Sequence, residues 1–281
     1  METNIERANA LTGMLKKNLL PGTVKKGGGE IYLGVDIGTA NVVSVAVDEE
    51  GTPLAGIITP AKVTREGMIV DYLGAIRIVR EQTAAMKRAL ECEFTAAMSA
   101  VPPGTEQGNE RVTANILEAA DLEVAGMIDE PEASALVLGI QKGVVVDVGG
   151  GTTGVSIIQD GRVTRSIDEP TGGFHFDLVI AGNQGISLEE AEQFKCCKNK
   201  QKEIFPIIRP VMEKVAAIVK KAIAGEHPEE IWLVGGSGAM YGFASIVEKS
   251  TGIVTRLPAD PILTTPLGIA IACRNHFQSE E

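Results

Sequence analysis

The chain is poor in the residues that usually carry redox, metal or stacking chemistry. Aromatic side chains make up only 4% of its 281 residues, with a single tryptophan, so the core must be aliphatic, as in layered α/β folds. Cys92, Cys196, Cys197 and Cys273 have neither zinc-type nor CxxC spacing, and they read as free thiols of a reducing compartment. Cys196 and Cys197 are adjacent but sit among lysines, which favours a solvated loop over a redox centre. Three scattered histidines exclude a histidine zinc site, and His175 reads as a polar loop residue. Positive charge is also short: the net charge of −11 argues against nucleic acid or an anionic membrane as partner. No apolar run reaches bilayer length and no signal peptide opens the chain, so the expectation is a soluble, cytoplasmic protein.

What the chain does have is concentrated between Val144 and Ile158, VVVDVGGGTTGVSII. β-branched residues and Asp147 run into three glycines and two threonines, then into a second Val/Ile-rich run. That pattern predicts a hairpin with its carboxylate at the end of the first strand. Gly149, Gly150 and Gly151 let the backbone approach an anion closely, and successive N–H groups there can form an anion-binding concavity. Thr152 and Thr153 add hydroxyl donors. Asp147 beside a phosphate would repel it unless a cation lay between them, so the pairing implies a hydrated Mg²⁺. Taken alone, the motif also fits an ordinary glycine-rich hairpin.

A second copy weighs against the ordinary hairpin. Tyr32 to Val47, YLGVDIGTANVVSVAV, repeats the order of strand, Asp36, Gly38, Thr39 and strand. Asp36 and Asp147 stand 111 residues apart, as do Gly38 and Gly149, while Ser44 and Ser156 stand 112 apart. The spacing predicts a duplicated domain whose two phosphate turns face one another.

Periodicity divides the chain into an amphipathic tail and glycine-rich tether (1–30), a first α/β unit (31–142), a second (143–262) and a C-terminal helix crossing back to the first (263–281). In the tail, Ile5, Ala8, Leu11, Leu15 and Leu19 share one helical face. Two readings are open: a docking peptide, disordered or loosely held until a partner covers that face, or a terminus packed on its own domain. In both units strands alternate with helices, which predicts mostly parallel sheets with covered faces. Predicted elements include a helix over 73–90, strands over 94–101 and 231–234, a short helix over 178–181 and a long helix over 207–224. Ser187 is the expected N-cap of another helix. Asp129 and Asp168 read as strand-end carboxylates, Asp168 structural.

Five segments in fixed order, DIGTAN (36–41), DEPEASA (129–135), DVGGGTT (147–153), VGGSGAM (234–240) and TTPLGIAIA (264–272), resemble the motif set of the actin, heat-shock-chaperone and sugar-kinase ATPase superfamily. The resemblance spans about residues 31–273 and implies two ribonuclease-H-like domains with a nucleotide cleft between them. It implies ATP or ADP with Mg²⁺ as ligands. Asp36 and Asp147 would hold the metal through waters, and Glu130 would position water or metal. Gly38, Thr39 and Ala40 would wrap the phosphates from one side and Gly149 to Thr153 from the other. Gly235, Gly236 and Ser237 would form the adenosine turn. Within the superfamily the chain resembles chaperone-like proteins of ethanolamine utilization, associated with a bacterial microcompartment. That implies ethanolamine-pathway enzymes or shell proteins as partners.

The departures are equally informative. Gly154 replaces an aspartate found in the chaperones two residues after the phosphate-2 threonine, and the insertion subdomains shrink to about 59–68 and 195–203. Lys62 is the one weak candidate for the chaperones' catalytic lysine. A cleft without lids excludes water poorly, so the expectation is a slow Mg-dependent ATPase or none. The alternatives are a scaffold with residual nucleotide affinity, a small-molecule kinase and a filament-forming actin relative.

Overall fold

The computed structural model describes residues 4–22, 24, 29–65 and 67–279. In chain order, α1 (Asn4–Lys17) precedes the meander β1 (Tyr32–Ile37), β2 (Asn41–Val47) and β3 (Pro53–Pro60). A small hairpin, β4 (Thr64–Arg65) with β5 (Met68–Ile69), leads to α2 (Tyr72–Leu90), β6 (Ala96–Val101), α3 (Gln107–Ala119), β7 (Glu123–Asp129) and α4 (Glu130–Leu138). The second run has β8 (Gly143–Val148), β9 (Thr153–Gln159), β10 (Arg162–Glu169), α5 (Gly173–Gln184), α6 (Leu188–Cys196) and α7 (Gln201–Ala222). It closes with β11 (Ile231–Val234), α8 (Phe243–Thr251), β12 (Thr255–Arg256) and α9 (Thr264–Gln278).

The two five-stranded sheets have orders β3-β2-β1-β6-β7 and β10-β9-β8-β11-β12, the same topology twice. In each, an antiparallel hairpin supplies the centre, β1 with β2 and β8 with β9, and a parallel neighbour lies on its other side. Central strands buried on both faces read as unbroken apolar runs, and every residue of Gly143–Val148 is buried. Helices α2 and α3 cover the first sheet's outer face, and α5, α7 and α8 that of the second. Helix α9 packs on α4 and on β1 and β2, so the C-terminal segment lies on the first sheet.

Several elements exceed their predicted ends. Helix α5 begins at Gly173 rather than 178, because the Gly173 and Phe174 N–H groups donate to the Gly149 and Gly150 carbonyls at 2.9 and 2.7 Å. His175 is not a loop residue: as part of α5 its Nδ1 accepts from the Gly172 N–H at 3.3 Å. Helix α7 runs through Pro206 and Pro210, since burial of Ile204, Ile208, Met212, Val215 and Val219 on one face outweighs the lost hydrogen bonds. Ser187 caps α6 as expected, its hydroxyl accepting from the Glu190 N–H.

The expectation of a disordered or loosely docked tail is corrected. Helix α1 lies against β3, α4 and α9 with Ala8, Thr12 and Leu15 fully buried, and Ile5, Leu11 and Leu19 pack around the same core. Its apolar face is covered by the chain's own body, which removes the free surface a docking peptide needs. Of the tether, residues 23 and 25–28, including Gly27 and Gly28, lie outside the described residues. Among the described residues no helix is long and apolar enough to cross a membrane.

Candidate functional site

The repeated topology sets β1 and β8, and the turn that follows each, on opposite sides of one cleft. Its volume is about 590 Å³. Asp36, Gly38, Thr39 and Ala40 line one wall, Asp147 and Gly149 to Thr152 the other, and Glu130, Gly235, Gly236 and Ser237 complete it. The turns come close: a Cβ built on Gly150 would stand 3.1 Å from the Thr39 Cβ. Of the predicted site residues, Thr153 is absent from the lining. Its side chain is fully buried and its hydroxyl donates to the Thr171 carbonyl at 2.5 Å, because the strand alternation that turns Thr152 to the cleft turns Thr153 away.

The glycines admit backbone where a side chain would collide. Gly235 has φ +81°, and a Cβ there would meet the Asp147 carboxylate and come 2.5 Å from the Val148 carbonyl oxygen. Ser237 Oγ donates to the Gly149 carbonyl at 2.8 Å, tying the end of β11 to the glycine turn. Thr265 Oγ1 donates to Asp147 Oδ2 at 2.5 Å and meets Ser134 Oγ at 2.9 Å, so the start of α9 fixes the carboxylate.

Electrostatically the floor is a knot of acids. Burial, then the neighbouring Asp147, pushes Asp36 up from 3.8 to about 7. Burial pushes Asp147 up to about 6 against the pull of the Thr265 hydrogen bond. Glu130 stands well above its ordinary value through burial, then repulsion from Asp147, Asp36, Asp168 and Asp129. Uncompensated carboxylates this close favour a cation among them. No group of three or more His, Cys, Asp or Glu among the described residues is set to ligate a metal directly. The donors therefore fit a metal held through waters better than one bound in a protein cage.

Two neighbours of the acid cluster were not legible as such in the sequence, Asp168 outside the cleft lining and Lys195 within it. Asp168, taken as structural, pairs in register with Gly154, and Thr152 hydrogen-bonds its carboxylate. Burial first, with repulsion from Asp147, raises Asp168 to about 7, and one carboxylate oxygen lacks a hydrogen-bond partner. An acid thus stands on the strand facing the position where the chaperones' aspartate is missing. Lys195, read as part of a solvated loop, lines the cleft and bonds Asp177 at 2.8 Å and the Gly173 carbonyl at 3.0 Å. The last aspartate of GGFHFD was the available signal. Cys196 also lines the cleft, whereas Cys273 is buried and its thiol is pushed up to about 11. Lys62 does not enter the cleft; exposed, it pairs with Glu192 at 3.4 Å and Glu189 at 3.9 Å on α6.

Residues 138–273 match the family model of the type IV pilus assembly protein PilM. Over 245 residues the chain is 43% identical to the ethanolamine utilization protein EutJ of Escherichia coli K12, covering 87% of this chain and 86% of that protein. The crystal structure of EutJ from Carboxydothermus hydrogenoformans superposes with a TM-score of 0.89 at 40% identity, covering 96% of this chain and 99% of the other. MreB5 of Spiroplasma citri, solved with AMPPNP, superposes with a TM-score of 0.72 at 17% identity, covering 90% of this chain and 99% of that one. At that identity the likeness shows a shared actin-like ATPase fold and no more.

Proposed function

The chain belongs to the family of the ethanolamine utilization protein EutJ, and from that premise we propose that it binds ATP or ADP with Mg²⁺ between its two glycine turns. In this reading, domain closure on the nucleotide lets the protein act as a chaperone-like factor for ethanolamine-pathway enzymes or microcompartment shell proteins. The observation that carries the nucleotide reading is the pair Asp36 and Asp147, at matching ends of β1 and β8 and facing one cleft with a glycine turn beyond each.

Each residue has a physical task in this account. The N–H groups of Thr39, Ala40 and 150–152 would face the phosphates, while those of Gly38 and Gly149 close the two turns onto the Asn41 and Thr152 carbonyls at 3.0 and 3.1 Å. Gly235 and Gly236 leave room for a flat ring, and Lys195 holds the start of α5 through the Gly173 carbonyl. Asp36 and Asp147 would hold Mg²⁺ through waters, with Thr265 fixing the rotamer of Asp147. When bound, the metal supplies charge neutralisation at the phosphates. Glu130, raised well above its ordinary value, is suited to hold a proton or orient water. Among the described residues, exposed pairs from Lys62 to Glu189 and Glu192 link the two halves beside the cleft; a link this exposed excludes water weakly, and turnover is expected below about 1 s⁻¹. That weak exclusion also favours the second reading, a scaffold with residual nucleotide affinity.

Titration calorimetry with ADP, with and without Mg²⁺, tests the proposal. Wild type is expected to bind more tightly with Mg²⁺, and Asp147→Asn to lose most of that gain while keeping metal-free affinity. Equal Mg²⁺-supported affinity in both would remove Asp147 from the site, and no binding by wild type would leave the scaffold reading.

A further inference from the structure

The N-terminal helix touches both sides of the molecule. Its end is stitched to the edge of the first sheet: Asn18 Nδ2 donates to the Pro53 carbonyl at 2.8 Å, the Leu20 N–H to the Gly56 carbonyl at 2.8 Å, and the Gly56 N–H to the Asn18 carbonyl at 3.2 Å. Its body faces the segment joining β12 to α9. There the Ala259 N–H donates to Asn9 Oδ1 at 2.8 Å, and Lys16 Nζ reaches Asp260 Oδ1 at 2.5 Å. Residues 259–262 are cleft wall. One residue beyond the ion pair, the Pro261 carbonyl accepts from the Gly235 N–H at 3.2 Å, and Ile262 packs near Gly236. The helix is therefore two hydrogen-bonded steps from the turn assigned to adenosine, although its own side chains never enter the cleft.

Resting on the nucleotide reading above, we propose that Asn9 and Lys16 are positioning residues for the nucleotide: they hold segment 259–262 against Gly235 and Gly236, so that α1 forms the outer buttress of the adenosine wall. An exposed ion pair contributes little to global stability. What this one does, with the Asn9 bond, is tie to α1 a short segment whose own bonds are local, the Leu263 N–H to the Asp260 carbonyl at 3.1 Å and the Thr264 N–H to the Pro261 carbonyl, apart from the one that the Gly235 N–H makes. Ordering that loop before the ligand arrives lowers the entropic cost of binding. By reciprocity, nucleotide in the cleft tightens α1 on its seat by the same factor that α1 tightens nucleotide.

The test uses the full chain carrying Asn9→Ala together with Lys16→Ala, both polar positions outside the buried stripe. Mg·ADP affinity by calorimetry is expected to fall on the order of fivefold, while the melting temperature without nucleotide stays close to wild type. Lys16→Arg with Asn9 intact should retain wild-type affinity. In wild type, Mg·ADP should slow amide hydrogen exchange across residues 8–17, and in the double variant that slowing should shrink. Unchanged Mg·ADP affinity in the double variant, or exchange in α1 indifferent to Mg·ADP in wild type, overturns the buttress and leaves the nucleotide site standing. Failure of wild type to bind Mg·ADP overturns the nucleotide reading, and the buttress with it.

Discussion

The two halves share a topology and differ at the strand ends. In the first sheet the parallel neighbour of the central hairpin, β6, ends in Pro102-Pro103-Gly104. In the second the equivalent strand, β11, ends in Gly235-Gly236-Ser237. Prolines offer no N–H and fill the space over the strand, whereas the glycines leave room there and Gly235 spends its N–H on the Pro261 carbonyl. A second difference lies one strand over. Where the first sheet pairs Val43 with Ile58, both apolar, the second pairs Gly154 with Asp168. The scaffold is duplicated, while the glycines that the nucleotide reading gives to adenosine and the extra acid belong to the second half alone.

Breaking the glycine end of that comparison has the largest expected effect. Gly235→Ala puts a Cβ on a φ of +81° and against Asp147 and Val148, so it should cost at least about 3 kcal/mol and abolish nucleotide binding. The control Gly104→Ala, two residues further along the first half's turn and also at positive φ (+73°) but with open space around it, should cost only about 1 kcal/mol. Urea denaturation of both variants checks the pair, and equal losses would mean that crowding at Gly235 does not matter.

The acids come next. Asp147 has its folded value raised from 3.8 to about 6, so the metal-free fold is favoured at low pH and that stability is lost as pH rises from about 4 through 6. Asp147→Asn removes the penalty and should stabilise the metal-free protein at pH 8 by on the order of 2 kcal/mol, roughly 5 °C in melting temperature. At pH 3, where the carboxyl is protonated in both states, the gain should vanish. Thermal melts at the two pH values read the sign, and destabilisation at pH 8 would show that the charge is already compensated.

Asp168→Asn should shift the melt in the same direction but less, because solvent reaches Asp168 and screens it. Its raised value, about 7 against 3.8, means that the gain is absent at low pH and complete only above about pH 7. Asparagine keeps an acceptor for Thr152, so a loss of stability at pH 8 would instead mark the carboxylate charge as needed there.

How much of this was legible follows from where each signal resides. Both Asp-Gly-Thr hairpins are local patterns, with β-branched runs, glycine turns and matched spacing, and they imply the duplicated sheets. The amphipathic stripe of α1 was equally local, but its seat was not: Pro53, Gly56 and Asp260 are distant in sequence, and nothing in residues 5–19 names them. Asp168 was missed for a related reason, since its meaning comes from the cross-strand register with Gly154. The hairpin of β4 and β5 was missed because strands of two residues each carry no periodicity.

The central claim is that one ligand engages both turns at once. Hydrogen–deuterium exchange of the full chain with and without Mg·ADP tests it most directly, read at residues 38–41 and 149–153. The account predicts slowed exchange in both segments at the same nucleotide concentration. Protection of one turn alone, or of neither at saturating Mg·ADP, would contradict it.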